Sequence, residues 1–266
     1  MKIGVVGCAG RMGRAVVAEI ARTDGAVLTG GSERAGSAWI GQDVAALAGL
    51  DAGALKIIDD ARQLFTAAEA VIDFTSPQAA VLHAGLAAEA GRILVVGTTG
   101  LDAGQQKAIE AAARRTAIVQ AANMSIGVNL LLGLTRQVAA TLGPDYDIEI
   151  VEMHHRHKID APSGTALALG RAAAEGRQVD LDKVAERGRD GLTGARAAGA
   201  IGFASLRGGD VVGDHTAIFA ADGERLELTH KASSRGVFAR GAVRAALWAK
   251  DKGPGLYSMR DVLGLG

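Results

Sequence analysis

The apolar run Lys2-Ile-Gly-Val-Val-Gly7 leads straight into Gly7-Cys-Ala-Gly-Arg-Met-Gly13. Arg14 to Ala21 then follows, with apolar residues at helical spacing (Val16, Val17, Ile20, Ala21). The order is strand, glycine turn, helix. Glycines at such a turn let the backbone fold back tightly and approach a pyrophosphate. The start of the helix then offers unpaired N–H groups and the positive end of its dipole. The spacing is G-x-x-G-x-x-G rather than the commoner G-x-G-x-x-G. Glycines here could serve helix–strand packing alone, but the strand–turn–helix context favours a nucleotide.

The second strand is expected at Ala26 to Gly31, followed by Ser32-Glu33-Arg34. Glu33 lies twenty residues past Gly13, where a carboxylate commonly meets the ribose hydroxyls of NAD. Arg34 beside it could pair with the 2′-phosphate of NADP, so the pair suits either cofactor; a solvated surface ion pair is the competing reading. Further apolar runs lead into segments that carry polar residues: Val71 to Phe74 before Thr75, Arg92 to Gly97 before Thr98 and Thr99, and Ala117 to Gln120 before Ala121-Ala122-Asn123-Met124-Ser125, with Asn123 and Ser125. Continuous apolar strands alternating with alanine-rich helices describe a buried parallel sheet. Ligands sit at the carboxyl ends of such strands. Thr75, Thr98, Thr99, Asn123 and Ser125 are therefore expected along one crevice, although any one of them could simply cap a helix. Cys8, at a helix start, occupies a position that can lower a thiol pKa. No partner base is evident, so a catalytic thiol is not expected.

Past Ser125 the pattern changes. Ile126 to Leu142 reads as one long helix, and Asp147 to Met153 as a half-exposed strand. A helix is expected from about Gly164, then a charged stretch from Asp180 to Asp190. Strand-like runs follow at Ala200 to Leu206, Thr216 to Ala220 and Glu224 to His230. This is the pattern of an α+β domain with an open antiparallel or mixed sheet, whose edges and uncovered face invite oligomerisation. Ser234 to Lys250 returns to helical spacing and is expected to rejoin the first domain. The fold class is thus α/β: a Rossmann-like dinucleotide-binding domain over residues 1–125 and 235–266, with an inserted α+β substrate-binding and oligomerisation domain over 126–234. Hinges near Ser125 and Ser234 would let the two close over a substrate.

The densest chemical signal is Glu152-Met-His-His-Arg-His-Lys-Ile-Asp-Ala-Pro-Ser-Gly-Thr165, which holds three of the chain's 6 histidines. Formal net charge is +0, so this concentration of cations is not the overflow of a basic protein. It reads as a loop after a strand. Three readings stand: a metal site at His154, His155 and His157; a solvated basic turn; or an anion site with acid–base capacity. Against the metal, Arg156 and Lys158 would repel a cation and the spacing is not that of a zinc helix. For the third, histidine exchanges protons near neutral pH, and Lys158 adds a proton donor and a charge. Glu152 and Asp160 could orient both. Pro162-Ser-Gly-Thr165 opens a helix whose amides and two hydroxyls would receive a carboxylate. A small dicarboxylate fits that clamp.

Composition sets bounds. At 266 residues and 48% hydrophobic, the chain can build one large domain or two modest ones. Aromatics at 3% with no net positive charge speak against nucleic-acid binding. One cysteine permits no intrachain disulfide and suits a reducing, cytoplasmic setting. No apolar run reaches membrane-spanning length, and Arg11 and Arg14 spoil any secretory signal.

Taken end to end, the chain resembles the bacterial 4-hydroxy-tetrahydrodipicolinate (dihydrodipicolinate) reductases. The likeness rests on Gly7 to Gly13, Glu33-Arg34, Asp73-Phe-Thr75, Gly97-Thr-Thr-Gly100, Ala122 to Asn129, the block from Glu152 to Ala166, Arg207 to His215, and His230 to Arg235. It implies reduction of a cyclic imine dicarboxylate by NADH or NADPH, with loss of water, on the diaminopimelate route to lysine. It implies His154 as proton donor or acceptor and Lys158 as proton donor. Substrate carboxylates would be held by His155, Ser163, Gly164 and Thr165. The cofactor would touch Gly7, Cys8, Ala9, Gly10, Arg11, Met12, Glu33, Arg34, Gly97, Thr98, Thr99, Ala121, Ala122, Asn123 and Met124. No metal is implied, and the family is typically homotetrameric. Two other readings differ in chemistry: a dehydrogenase for a sugar or amino acid, which the histidine block disfavours, and a nicotinamide-sensing protein without turnover, which His154 and Lys158 disfavour.

Overall fold

Short apolar strands, each handing over to a helix, build the first part of the chain. A computed structural model describes residues 1–265. Its elements begin with β1 (Lys2–Val6), α1 (Arg11–Ile20), β2 (Val27–Ser32), α2 (Val44–Leu47), β3 (Ile57–Ile58) and α3 (Ala61–Ala67). Then come β4 (Ala70–Asp73), α4 (Pro77–Ala90), β5 (Ile93–Val96), α5 (Ala103–Ala113) and β6 (Ala117–Gln120). The Ser76 side chain caps α4, with Pro77 pre-setting its first turn, and Asp102 with Gln105 closes a capping box on α5.

The second part comprises α6 (Ile126–Leu142), β7 (Asp147–His154), α7 (Gly164–Arg177), α8 (Leu181–Val184), β8 (Ala185–Arg187), β9 (Ile201–Arg207), β10 (Gly213–Ala221) and β11 (Glu224–Ala232). The chain ends with α9 (Gly236–Trp248), β12 (Gly255–Tyr257) and α10 (Met259–Leu263). Backbone contacts divide it into two units, residues 1–126 with the segment from Arg235 onward, and Gly127–Ser234.

The first unit is a seven-stranded parallel sheet in the order β12-β6-β5-β4-β1-β2-β3. The chain winds outward from β1 through β2 and β3, then returns to β4 and winds the other way. The reversal falls between β1 and β4, which pair in parallel from Ile3↔Ala70 to Val6↔Asp73. At such a switch point a crevice opens beyond the carboxyl ends of the strands. Here it is bounded by the turn after Val6 and the turn after Asp73. The core strands are almost fully buried, as a two-sided parallel sheet requires. One side is covered by α1 and α9, whose Val16, Val17, Ile20, Ala242, Val243 and Ala246 share a core with Ile3, Val5 and Ile72. The final helical segment thus packs with the first unit, and it brings β12 with it. The sequence reading stopped short of β12, a three-residue strand behind a Gly-Pro turn.

The second unit is a five-stranded mixed sheet, β11-β10-β7-β9-β8. Strands β10 and β11 form an antiparallel hairpin, β10 runs antiparallel to β7, and β7, β9 and β8 are parallel. Within the expected charged stretch 180–190 lie α8 and the short strand β8. Period-two alternation sends Ile148, Ile150, Glu152 and His154 to one face of β7. The first two join Phe203, Ala217 and Phe219 in a core against Leu131 and Ala139 of α6 and Ala166, Leu169 and Ala173 of α7. By the same alternation Val151, Met153, Ala204, Leu206, Thr216 and Ile218 lie on the opposite face, where none of them is buried.

Candidate active site

In the first unit, the glycine turn closes as steric necessity. Gly7 has φ +63°, the left-handed region that glycine enters without penalty. A side chain at Gly13 would place its Cβ 2.2 Å from the Gly7 carbonyl oxygen, so α1 lies against the turn only because Gly13 has none. Helix α1 starts at Gly10 with no side-chain cap and no acidic residue in its first turn. Its first amides are thus left for an external anion, and the turn fits the pyrophosphate of a dinucleotide. Arg11 is exposed, Met12 half-buried. Arg14 Nε donates to the Ala9 carbonyl at 2.8 Å and ties the turn to the helix.

Glu33 is placed at the same turn. Its Oε1 accepts from the Ala9 amide at 2.8 Å, a contact the sequence reading had not anticipated. Arg34 is exposed beside it. The Cys8 side chain points the other way, into the core: a Cβ on Gly31 would meet its Sγ at 2.7 Å. Burial, aided by the Glu33 charge, pushes the thiol up to about 12. The helix-start argument for a lowered thiol pKa therefore fails here, and Cys8 can offer a ligand only its backbone.

Beyond β4 and β5, Thr75 and Thr98 are bound to Asp73, with Thr75 Oγ1 donating at 2.7 Å and Thr98 Oγ1 at 3.1 Å. Thr99 is exposed. Beyond β6, Ala121, Ala122 and Asn123 are half-buried or exposed, and the Asn123 side chain accepts from the Ser125 amide. The Met124 side chain is 1% exposed and belongs to the core with α9, so it can offer a cofactor only its backbone.

In the second unit the histidine block proves to be only partly a loop. His154 is the last residue of β7, 8% exposed, and the loop begins at His155. Glu152, two residues earlier on the same face, is fully buried. Arg207 grips its carboxylate with both terminal nitrogens, at 2.8 and 2.9 Å. The Ser163 amide donates to it at 3.2 Å and His154 Nδ1 stands 2.5 Å from Oε2. Burial works to raise the Glu152 carboxyl, yet the bonds from Arg207, His154 and Ser205 outweigh it and hold the group below the ordinary value. An ionised carboxylate only accepts, so Nδ1 of His154 carries a proton toward it and Nε2 is the nitrogen left to exchange one. A Cβ on Gly213 would come within 3.0 Å of that Nε2, so the glycine leaves room in front of it.

Around this pair, Lys158 Nζ donates to both oxygens of Asp160, at 2.7 and 2.9 Å, and Lys158 holds the Asp160 carboxyl low. His155 is anchored through its amide to the Val211 carbonyl, while its Nδ1 is buried without a hydrogen-bond partner. Ser163 caps α7, its Oγ accepting from the Ala166 amide at 3.1 Å and standing 3.0 Å from His215 Nε2. That hydroxyl is 3% exposed at the residue level and already engaged, whereas Gly164 at the first position of α7 is exposed. The sequence reading also missed His215. It lies on β10, paired in register with Glu152 of β7, with its ring edge-on to His154 at 5.0 Å. Burial, with the neighbouring His154, brings its pKa down to about 4, leaving it neutral at physiological pH. Its only sequence signal was its place at the end of the Arg207 to His215 segment. Among the described residues no group of three His, Cys, Asp or Glu side chains is placed to hold a metal ion.

Comparison with known proteins decides what this geometry belongs to. The family model described as "Dihydrodipicolinate reductase, N-terminus" matches residues 1–124, and that described as "Dihydrodipicolinate reductase, C-terminus" matches 127–263. The chain belongs to the dihydrodipicolinate reductase family. Such reductases are NAD(P)H-dependent oxidoreductases, and the glycine turn with Glu33 and Arg34 is consistent with that cofactor. Proteins named 4-hydroxy-tetrahydrodipicolinate reductase are close relatives. That of Dinoroseobacter shibae is 56% identical over 99% of this chain and 98% of its own. That of Parvibaculum lavamentivorans is 57% identical over 100% and 98%. Among solved structures, a dipicolinate-bound dihydrodipicolinate reductase from Paenisporosarcina sp. TG-14 shares the fold. Its TM-score is 0.78 at 24% identity, over 97% of each chain.

Proposed function

We propose that this chain reduces 4-hydroxy-tetrahydrodipicolinate to tetrahydrodipicolinate, with loss of water, using NADH or NADPH, on the diaminopimelate route to lysine. The observation that carries the reading is the buried Glu152–His154 pair, locked by Arg207 and set beside an exposed helix start. It is an acid–base group built into a strand, next to a place for a carboxylate.

The reduced nicotinamide supplies a hydride. The turn from Gly7 to Met12 holds its pyrophosphate through backbone amides, Glu33 and Arg34 meet the adenosine ribose, and Gly97 to Thr99 with Ala121 to Met124 line the remainder. Because the Met124 and Cys8 side chains are buried, both act through backbone. The substrate is a dianion. The Gly164 and Thr165 amides at the start of α7 take one carboxylate, and the orphaned ring nitrogen of His155 offers it a further partner. Ser163 serves this site by capping α7 and bonding Glu152.

Lys158 places a positive charge where negative character develops on the substrate, and it donates a proton there. His154 gives or takes a proton at Nε2, while Nδ1 keeps its own toward Glu152. The Glu152 carboxylate fixes the tautomer and stabilises the imidazolium that forms. Arg207 keeps Glu152 ionised in a buried setting. The neutral His215 adds no competing charge. We also assign the chain to a homotetramer joined through the outward face of the second sheet, and to the cytoplasm, with one cysteine and no disulfide requirement. Among the described residues no helix is long and apolar enough to cross a membrane.

The test is cofactor oxidation by the purified protein, with substrate generated in situ by the upstream synthase from pyruvate and aspartate semialdehyde. Oxidation that requires the synthase is the expected result. Cofactor binding without synthase-dependent oxidation would overturn the reading.

A further inference from the structure

Asp73 closes β4 and is 0% exposed. A carboxylate buried so deeply persists only if every lone pair is met. Its Oδ1 accepts from the Thr75 amide at 2.7 Å, from Thr75 Oγ1 at 2.7 Å and from Thr98 Oγ1 at 3.1 Å. Its Oδ2 stands 2.6 Å from Nδ1 of His83. Those partners come from three places: the turn after β4, the turn after β5, and α4.

His83 is out of character with its helix. The other buried residues of α4 are alanines and one leucine. A helix that only covered the sheet would fill this position with an apolar side chain, because a buried imidazole must be compensated. Thr75 in turn reaches the glycine turn: a Cβ on Gly7 would stand 2.7 Å from Thr75 Cγ2, so the methyl group rests against that backbone. One carboxylate therefore sets both the wall of the Gly7 turn and the Gly97 to Thr99 segment.

We propose that Asp73 and His83 are a positioning pair for the cofactor. His83 fixes the carboxylate, and the carboxylate holds Thr75 against Gly7 and Thr98 in line after β5, so the binding edge is formed before the dinucleotide arrives. The inference rests on the reading of that edge as the cofactor site. Neither residue is assigned contact with the reacting atoms.

The experiment compares His83→Leu, His83→Asn and Thr98→Val with the wild type. Dissociation constants for NADH come from fluorescence titration and are set beside steady-state kinetics. An Asn amide nitrogen falls near the Nδ1 position and can restore the bond to Asp73. His83→Leu is expected to raise the Kd and KM for NADH about tenfold, the scale of one lost bond to a charged group. Its kcat should stay within about twofold, with KM for the dicarboxylate unchanged, and His83→Asn should recover most of the loss. Thr98→Val, which folds around an intact pair, should raise the NADH Kd by a smaller factor. Two results would overturn the proposal: unchanged NADH affinity in both His83→Leu and Thr98→Val, or a joint loss of kcat and both KM values that Asn does not rescue. A wild-type protein that fails to bind NADH would defeat the cofactor reading itself and this inference with it.

Discussion

Glu152 and His154 sit two residues apart on the buried face of one strand, with Oε2 and Nδ1 2.5 Å from each other. The bond decides which imidazole nitrogen works. Glu152→Gln presents an amide that can turn its NH₂ toward Nδ1 and select the other tautomer. It also leaves Arg207 without its counter-charge. We expect kcat to fall by roughly 10²-fold, the scale of a misplaced catalytic group, with NADH affinity unchanged. His154→Gln should cost roughly 10²–10⁴, the usual range for a lost general acid–base. If Glu152→Gln turns over at the wild-type rate, the tautomer argument is wrong.

Cofactor choice is read by a different pair. Glu33 is tied to the Ala9 amide, while Arg34 is exposed beside it. Arg34→Ala should weaken NADPH more than NADH, since only the former carries a 2′-phosphate. Equal losses for the two cofactors would remove Arg34 from that role.

Acid should weaken the second unit through His215. Its pKa is about 4 in the fold and roughly 6.5 in an unfolded chain. Between those values the unfolded chain binds a proton that the folded one refuses, so stability falls as pH drops through that window. Above about pH 7 the effect is absent, and below about pH 4 it approaches its full size, no more than about 3–4 kcal/mol. Denaturant titrations of wild type and His215→Gln at pH 7.5 and 4.5 measure it. The wild type should lose more stability than the variant between the two. Parallel losses would mean that the ring is not held neutral.

Gly13→Ala tests the glycine turn. The new Cβ would sit 2.2 Å from Gly7 O and 2.6 Å from Cys8 Cα, both backbone atoms that yield only if the turn moves. A cost of about 1–3 kcal/mol, typical of overpacking, is expected, with a raised KM for NADH. A variant with wild-type melting temperature and KM would show that the turn is more pliable than its geometry implies.

Assembly is checked at the uncovered sheet face. Ile218→Asp places a charge on that face between Glu149 of β7 and Glu227 of β11, its cross-strand partners, away from the buried core. Light scattering should show dissociation to smaller species with the far-UV spectrum retained. An unchanged mass would place the interface elsewhere.

Much of this was legible in the residues because the signals were local. The long helix 126–142 announced itself by its apolar period, the parallel strands by continuous apolar runs, and the glycine turn by its spacing. Short elements escaped: β8 has three residues within a charged stretch and β12 three behind a Gly-Pro turn. Neither is long enough to show a period. Glu152 and the 154–158 cluster stood out by charge, but two facts could not. Arg207 and His215 reach Glu152 and Ser163 only through strand pairing of β9 and β10 with β7, a relation of register rather than of sequence. The burial of Cys8 and Met124 likewise depends on which way a turn faces, and the motif does not say.

The alternation along β7 has a further consequence. Ile148 and Ile150 anchor the strand in the core, and Glu152 and His154 follow in the same phase. A one-residue slip, whether by insertion or mispairing, would turn the acid–base pair outward in the same motion that exposed the isoleucines. Chemical competence and hydrophobic burial are therefore inherited together. A misregistered copy of this strand would not linger as a folded, half-working enzyme, because the error that disarms it also unseats it.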